Sequence, residues 1–360
     1  MENLGGLKFM LNLNFYKDKK VLITGHTGFK GTWLSKILIN AGAKVYGYSL
    51  DAPTQPNLFS LSKIESQMIS IIGDIRDYNH LKRCFDEIQP EIVMHLAAQP
   101  IVRDSYKEPK YTYETNVLGT VNVLECVRLT KSVKSFLNVT TDKVYYNDEV
   151  PNHPFSEDEP LDGYDPYSNS KSCSELVTHS YKKSFFTDGR CAISTARAGN
   201  VIGGGDFAND RIIPDCIRAI ESNKDIIVRN PFSTRPYQHV LEPLYIYLEI
   251  CEKQYSDIKY EGYYNVGPDD CDCVNTGDLV TKFCNAWGNV KWINKFDGGP
   301  HEASFLKLNN QKIKDVFGWK TRWHIDECIN KIVEWTKVYL NDKNQIPGEM
   351  DKEIYCFIRK

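Results

Sequence analysis

A doubly wound α/β fold on a parallel sheet is predicted by three observations. Short apolar runs alternate with helical patterns through the first half of the chain, as strands and crossover helices must. Those runs are continuously apolar, which is how strands covered on both faces read. A glycine-rich turn stands where the first run ends and the first helical pattern begins, the place where α/β sheets bind phosphates.

Taken in order, strands are expected at 20–24 (KVLIT), 44–48 (KVYGY), 68–72 (MISII), 92–96 (IVMHL), 136–140 (FLNVT) and 192–197 (AISTAR). Helices are expected between them at 28–41, 78–88, 109–129 and 167–184. Beyond the cluster Gly203, Gly204 and Gly205 the pattern loosens. Helices are expected there at 211–222, 241–253, 311–317 and 325–340, with short strands at 263–266 and 291–293. At 360 residues the chain exceeds one ordinary domain, so one large domain or two coupled domains are expected. The reading is an extension at 1–19, a Rossmann-type dinucleotide-binding domain at 20–198, and a tail at 341–360. Between them, 199–340 reads as a smaller, mixed α/β substrate lobe with some segments returning to the first domain.

Bulk properties narrow the function classes. Net charge is −3 with the signs interspersed, which argues against a nucleic-acid footprint. No apolar run approaches bilayer-spanning length, and the first twenty residues lack the features of a secretory signal. Eleven cysteines occur without a CxxC pair. Cys271 and Cys273 form a lone CxC with no second ligand pair nearby in sequence, so no metal is expected. Unpatterned cysteines in an odd number suit a cytoplasmic setting.

The turn reads Gly25-His26-Thr27-Gly28-Phe29-Lys30-Gly31. One glycine permits the tight turn, one lets backbone approach a pyrophosphate, and one lets helix and strand pack closely. The helix amino terminus then offers free N–H groups to the phosphates. Asp51 lies twenty residues past Gly31, just beyond the second strand. A carboxylate there binds the ribose hydroxyls of NAD and repels the extra phosphate of NADP, although a turn before Pro53 would also carry an aspartate. Asp74 and Ile75 close the third strand at the adenine end, and Leu96, Ala97, Ala98 and Gln99 close the fourth.

Tyr167 and Lys171 form a YxxxK pair. On a helix they share a face, and the ammonium is expected to lower the phenol's pKa so that it can take a proton from a sugar hydroxyl. Thr140-Thr141-Asp142-Lys143 ends the fifth strand. There Thr141 is placed to bond a substrate hydroxyl and Asp142 to donate a proton, or both are ordinary turn residues.

The segments GHTGFKG, HLAAQP, TNVLGT, TTDK, YDPYSNSK, RAGNVIGGGD and RPYQHVLEP resemble, in order and spacing, those of bacterial CDP-glucose 4,6-dehydratases, which are extended short-chain dehydrogenases/reductases. The resemblance runs from about residue 20 to 340. It implies one bound NAD and a three-stage cycle: oxidation at C4, loss of water across C5–C6, and return of the hydride to C6. Tyr167 would take the O4 proton, Lys171 would hold the nicotinamide ribose, Thr141 would orient the 4-hydroxyl, and Asp142 would protonate the departing 6-hydroxyl. Lys143 stands where many sugar-nucleotide dehydratases carry a glutamate, and either a base or an enolate-stabilising role is open to it. Gln99, Asn200, Arg211, Arg235 and His239 match positions near the sugar nucleotide, with Arg235 first and Arg211 second as diphosphate ligands; the arginines are otherwise surface or cap residues, His239 equally fits a structural histidine, and Asn200 a turn residue. A homodimer through the helices carrying Asn116 and Tyr167 is implied, with a tetramer as the larger assembly. The alternatives are a 4,6-dehydratase or 4-epimerase for another nucleotide sugar, linked to GDP, dTDP or UDP, and, more remotely, a non-catalytic NAD-binding regulator.

Overall fold

A computed structural model describes residues 12–150, 152–296, 298 and 305–360. The first half comprises β1 (Lys20–Thr24), α1 (Phe29–Asn40), β2 (Lys44–Ser49), α2 (Leu58–Ser62), β3 (Ile69–Ile72), α3 (Tyr78–Ile88), β4 (Ile92–His95), α4 (Val102–Lys107), α5 (Pro109–Tyr113), α6 (Gly119–Leu129), β5 (Ser135–Thr141), α7 (Pro166–Phe185) and β6 (Ala192–Ala198). The second half adds β7 (Val201–Ile202), α8 (Ile212–Glu221), β8 (Ile226–Val228), β9 (Thr234–Pro236), β10 (Gln238–His239), α9 (Leu241–Ser256), β11 (Tyr263–Val266), β12 (Cys273–Asn275), α10 (Thr276–Trp287), β13 (Trp292–Asn294), α11 (Gln311–Phe317), α12 (Ile325–Asn341) and α13 (Ile346–Arg359).

Seven strands form one sheet in the order β11-β6-β5-β4-β1-β2-β3, every pairing parallel. Successive residues of a strand face opposite ways, and β1 uses both faces. Val21 and Ile23 pack with Trp33, Leu34, Ile37 and Leu38 of α1 and with Leu244 and Leu248 of α9. Leu22 packs on the other side with Leu81 and Phe85 of α3 and Val123, Leu124 and Val127 of α6. Double coverage explains why all seven residues of both β5 and β6 are buried. The strand order reverses between β1 and β4, so a crevice opens at their carboxyl ends, where α/β sheets bind ligands.

The second half is woven into the first. α9 covers the sheet, and β11 pairs with β6 in the register Tyr263↔Thr195. The smaller lobe carries two-stranded pairs β10-β7, β12-β9 and β13-β8. Its buried side chains, Phe283, Ile313 and Trp323 among them, belong to the same core cluster as Val21.

Several segments depart from the sequence expectations. The helix expected at 109–129 divides into α5 and α6 around a π turn at Glu114–Leu118. The tail, given no structure from sequence, forms α13, with Ile346, Met350, Ile354 and Phe357 buried. Within the extension, Leu13–Tyr16 makes a 3-10 turn, and the Tyr16 hydroxyl donates to the Leu248 carbonyl at 2.5 Å. α10 went unseen because a glycine interrupts its first turn. Asn275 caps it, accepting from the Asp278 N–H at 2.7 Å.

Candidate active site

A crevice of about 740 Å³ runs along the carboxyl edge of the sheet and is closed on its far side by the smaller lobe, a size typical of small-molecule sites. One end is built by the glycine turn. Gly25 holds φ +81°, a left-handed conformation that side chains resist. A Cβ at Gly31 would lie 2.1 Å from the Gly25 carbonyl oxygen, so turn and helix touch backbone to backbone. Gly28 is the N-cap of α1 and brings no side chain to the first turn, which leaves those N–H groups for an anion. The Thr27 hydroxyl donates to the Leu50 carbonyl at 2.9 Å and meets the Ser49 hydroxyl at the same distance, tying the turn to the end of β2 beside Asp51.

Asp51, Asp74, Ile75, Leu96, Ala97 and Ala98 all line the crevice with Gly25, Thr27, Gly28, Phe29, Lys30 and Gly31. The Asp74 carboxylate is engaged by Arg76, with Nη2 at 2.6 Å. Burial raises its pKa and the arginine outweighs that, leaving it below the ordinary value. A glycine cradle that any Cβ would fill, an uncapped helix end and a carboxylate past the second strand fit a dinucleotide such as NAD.

The chemistry-bearing groups meet at the centre. Asp165 caps α7, accepting from the Ser168 N–H at 3.0 Å, and Pro166 opens the helix, so Tyr167 lies in the first turn. Tyr167, Lys171 and Glu175 follow at four-residue spacing on one helix face. Lys171 is buried and donates from Nζ to the Val139 carbonyl at 3.0 Å. Burial lowers its pKa to about 8, against the raising effect of Glu175. The Tyr167 phenol is pushed up to about 12 by burial, and its hydrogen bond with Thr141 opposes that push. The sequence expectation that Lys171 holds the phenol low is therefore corrected: in this arrangement desolvation wins, and the hydroxyl that touches Tyr167 is Thr141.

Thr141 Oγ1 donates to Asp142 Oδ1 at 2.9 Å, and Lys143 Nζ lies 3.5 Å from the same oxygen. Asp142 is buried, and its Oδ2 has no hydrogen-bond partner among the described residues. An orphaned carboxylate oxygen in a crevice is costly unless a ligand hydroxyl meets it.

On the lobe side, Asn200, Arg211 and Arg235 line the crevice. Arg211 pairs with Asp206 at 3.0 Å, and Arg235 is buried, donating from Nη1 to the Thr234 carbonyl at 3.0 Å. Gln99 also lines it, yet its amide is spent on its own loop, donating to Thr112 Oγ1 at 2.9 Å and accepting from the Ile101 N–H at 2.6 Å. His239 stands apart from the crevice lining. It is fully buried, 3.6 Å from Glu353 of α13, and edge-on to Trp323.

Three features went unread in the sequence. Lys30, placed at the cofactor end, also feels Arg211, Lys171, Asp142 and Asp206 across the crevice. Its pKa falls to about 7, through burial first and those two cations second. Asp206 follows the glycine cluster directly, which was the available signal. Arg229, paired with Asp210 at 2.5 Å, sits in no motif.

A doubly wound sheet with this turn and a Tyr-x-x-x-Lys helix across the crevice defines an extended short-chain dehydrogenase/reductase. The family described as GDP-mannose 4,6 dehydratase matches residues 22–332, and the chain belongs to it. It is 45% identical to a CDP-glucose 4,6-dehydratase of Salmonella typhimurium, over 94% of this chain and 96% of that one. Among solved structures, a dTDP-glucose 4,6-dehydratase of Bacillus anthracis in complex with NAD superposes with TM-score 0.74 at 20% identity, covering 92% of this chain and 99% of that one. A Thermus thermophilus UDP-glucose 4-epimerase complex with NAD gives 0.76 at 23%, covering 88% and 98%. At such identities the structural likeness speaks for the fold.

Proposed function

We propose that this protein binds NAD and dehydrates CDP-D-glucose to CDP-4-dehydro-6-deoxy-D-glucose. The observation that carries the reading is the meeting of Thr141, Asp142, Lys143, Tyr167 and Lys171 in one crevice with the glycine turn. The 45% identity to a CDP-glucose 4,6-dehydratase supports the choice of nucleotide.

Bound NAD supplies a reversible hydride acceptor beside the sugar, so C4 is oxidised, water is lost across C5–C6, and C6 is reduced with no net redox change. Burial holds the Tyr167 phenol protonated; beside Lys171 and the positive nicotinamide of bound NAD the phenolate is favoured and takes the O4 proton, while Thr141, hydrogen-bonded to that oxygen, orients the same hydroxyl. Lys171 holds the nicotinamide ribose. Asp142 offers its free Oδ2 to the departing 6-hydroxyl as general acid. Lys143, beside Asp142, serves the C5 step as base or enolate partner. Arg235 and Arg211 hold the diphosphate, with Asn200 at the sugar.

The assembly is a cytoplasmic homodimer in this reading. Leu118, Leu129, Leu176 and Phe185 stay exposed on and beside α6 and α7, an apolar face that pairing would cover. No described helix is long and apolar enough to cross a membrane.

The test is to incubate the protein with NAD and, separately, CDP-, dTDP-, GDP- and UDP-glucose, reading the absorbance that alkali induces in a 4-keto product. CDP-glucose is expected to give the highest kcat/KM. A higher value for another nucleotide, or no product with any, would overturn the proposal.

A further inference from the structure

Away from the crevice, the fold brings together three donors that the sequence separates. Asp272 ends the 3-10 turn Asp270–Asp272, just before β12. His324 is the N-cap of α12. Asp272 Oδ2 lies 2.9 Å from His324 Nδ1, and Cys271 Sγ lies 3.7 Å from each of those atoms. The carboxylate is buried, with 2% of its side chain exposed, and the imidazole is 55% exposed. Cys271 is also exposed. The three donor atoms thus form a small triangle, anchored below and open to solvent above.

That triangle has the dimensions of a coordination face. Zinc bonds of roughly 2.0 Å to N and O and 2.3 Å to S, at tetrahedral angles, put N···O near ~3.3 Å and S···N or S···O near ~3.6 Å. Cys271 already stands at that distance. The His324–Asp272 pair, at 2.9 Å, needs to open by only about 0.4 Å. Asp272 uses its other oxygen, Oδ1, to accept the Ile325 N–H at 2.8 Å, so the carboxylate is held facing the triangle. A thiolate, an imidazole and a carboxylate together suit a borderline transition ion rather than Mg²⁺ or Ca²⁺.

We infer that Cys271, Asp272 and His324 form a binding site for one divalent transition ion of the Zn²⁺ class, with solvent completing the coordination. On binding, the Cys271 thiol proton is released to solvent and the proton on His324 Nδ1 is displaced, to Nε2 from a neutral imidazole or to solvent from an imidazolium. It ties the turn before β12 to the start of α12. β12 pairs with β9 in the register Val274↔Arg235, so the ion braces the strand pair that carries Arg235. The inference is independent of the substrate assigned above.

The experiment uses the dialysed full-length protein and Co²⁺ as the spectroscopic probe. One equivalent of Co²⁺ is expected to give tetrahedral visible bands with a thiolate charge-transfer absorption, both displaced by one equivalent of Zn²⁺. Cys271→Ser is expected to abolish the charge-transfer absorption. Because losing a residue that merely orients a ligand weakens metal affinity 10–100-fold, His324→Gln is expected to cost ~100-fold or more. Zn²⁺ at saturating excess should raise the melting temperature of the wild type and leave that of Cys271→Ser in place. Melting without metal and far-ultraviolet circular dichroism establish that both variants are folded. No stoichiometric binding, an octahedral spectrum without thiolate absorption, or an absorption that survives Cys271→Ser would overturn the assignment.

Discussion

Replacing Glu175 by Gln tests whether the helix that presents Tyr167 and Lys171 is anchored by a buried ion pair. Glu175 accepts hydrogen bonds from Thr140 Oγ1 at 2.5 Å, Thr195 Oγ1 at 2.8 Å, Arg197 Nη2 at 3.0 Å and His179 Nε2 at 3.2 Å. Neither Glu175 nor Arg197 is exposed at all. Burial alone would raise the carboxyl's pKa; the Arg197 charge, together with the hydrogen bonds from His179, Arg197 and Thr140, more than reverses that, holding it at about 2. Set against an ordinary glutamate value of ~4.3, that difference is worth about 3 kcal/mol. Breaking buried pairs elsewhere costs ~3–5 kcal/mol because one charge is left unpaired. With an unfolding entropy of ~2.1 cal/mol/K per residue, a 360-residue chain should lose about 4–7 °C in melting temperature.

The sign of the pH dependence follows from the depressed pKa. The stabilisation is complete above the unfolded value of ~4.3 and is lost as pH falls toward about 2. In urea titrations the gap between wild type and Glu175→Gln should therefore shrink by roughly half between pH 7 and pH 3. A gap that keeps its size across that range, or a melting shift under about 1 °C at pH 7, would refute the ion-pair reasoning. A second readout concerns Lys171, which Glu175 favours in its charged form. The variant's alkaline limb of kcat/KM should move to lower pH.

Four further predictions address the crevice. Lys143→Ala should keep the rapid appearance of reduced-cofactor absorbance in a single turnover while product formation falls ~10²–10⁴-fold; dehydration within tenfold of wild type would remove Lys143 from the C5 step. Gly31→Ala forces a Cβ against the Gly25 carbonyl, and equilibrium dialysis should show NAD affinity falling at least ~10-fold. Arg235→Ala should raise KM for the sugar nucleotide ~30-fold, about 2 kcal/mol, with kcat nearly kept; an unchanged KM would place the diphosphate elsewhere. Lys30, with a pKa of about 7, loses its charge as pH rises. Lys30→Met should therefore cost ~10-fold or more in kcat/KM at pH 6 and little at pH 8.5, and equal losses at both would show that the charge is irrelevant.

The sheet was legible because its signals are local. Buried parallel strands such as β1, β5 and β6 advertise themselves as apolar runs, and the glycine turn sits one residue beyond the first of them. Tyr167 and Lys171 were readable for the same reason, since four residues of helix fix their relation whatever surrounds them. Residues 109–129 were harder: the π turn at Glu114–Leu118 is imposed by packing against neighbours and leaves the helical period of the sequence intact. The lobe strands β7, β8, β9, β10 and β12, two or three residues each, are too short to carry a period at all.

Sequence alone, then, marked the glycine turn, Asp51, the Thr141-Asp142-Lys143 strand end and the Tyr167–Lys171 pair as candidates and placed each on its strand or helix. Tertiary structure decided who faces whom. It withdrew His239 into the core beside Glu353, turned the Gln99 amide onto its own loop, and set Thr141 rather than Lys171 against the Tyr167 phenol. It also swung His324 across fifty residues of chain to Cys271 and Asp272. The physical reason is range: backbone periodicity acts over a few residues, whereas desolvation and hydrogen bonding depend on neighbours that only the folded chain supplies.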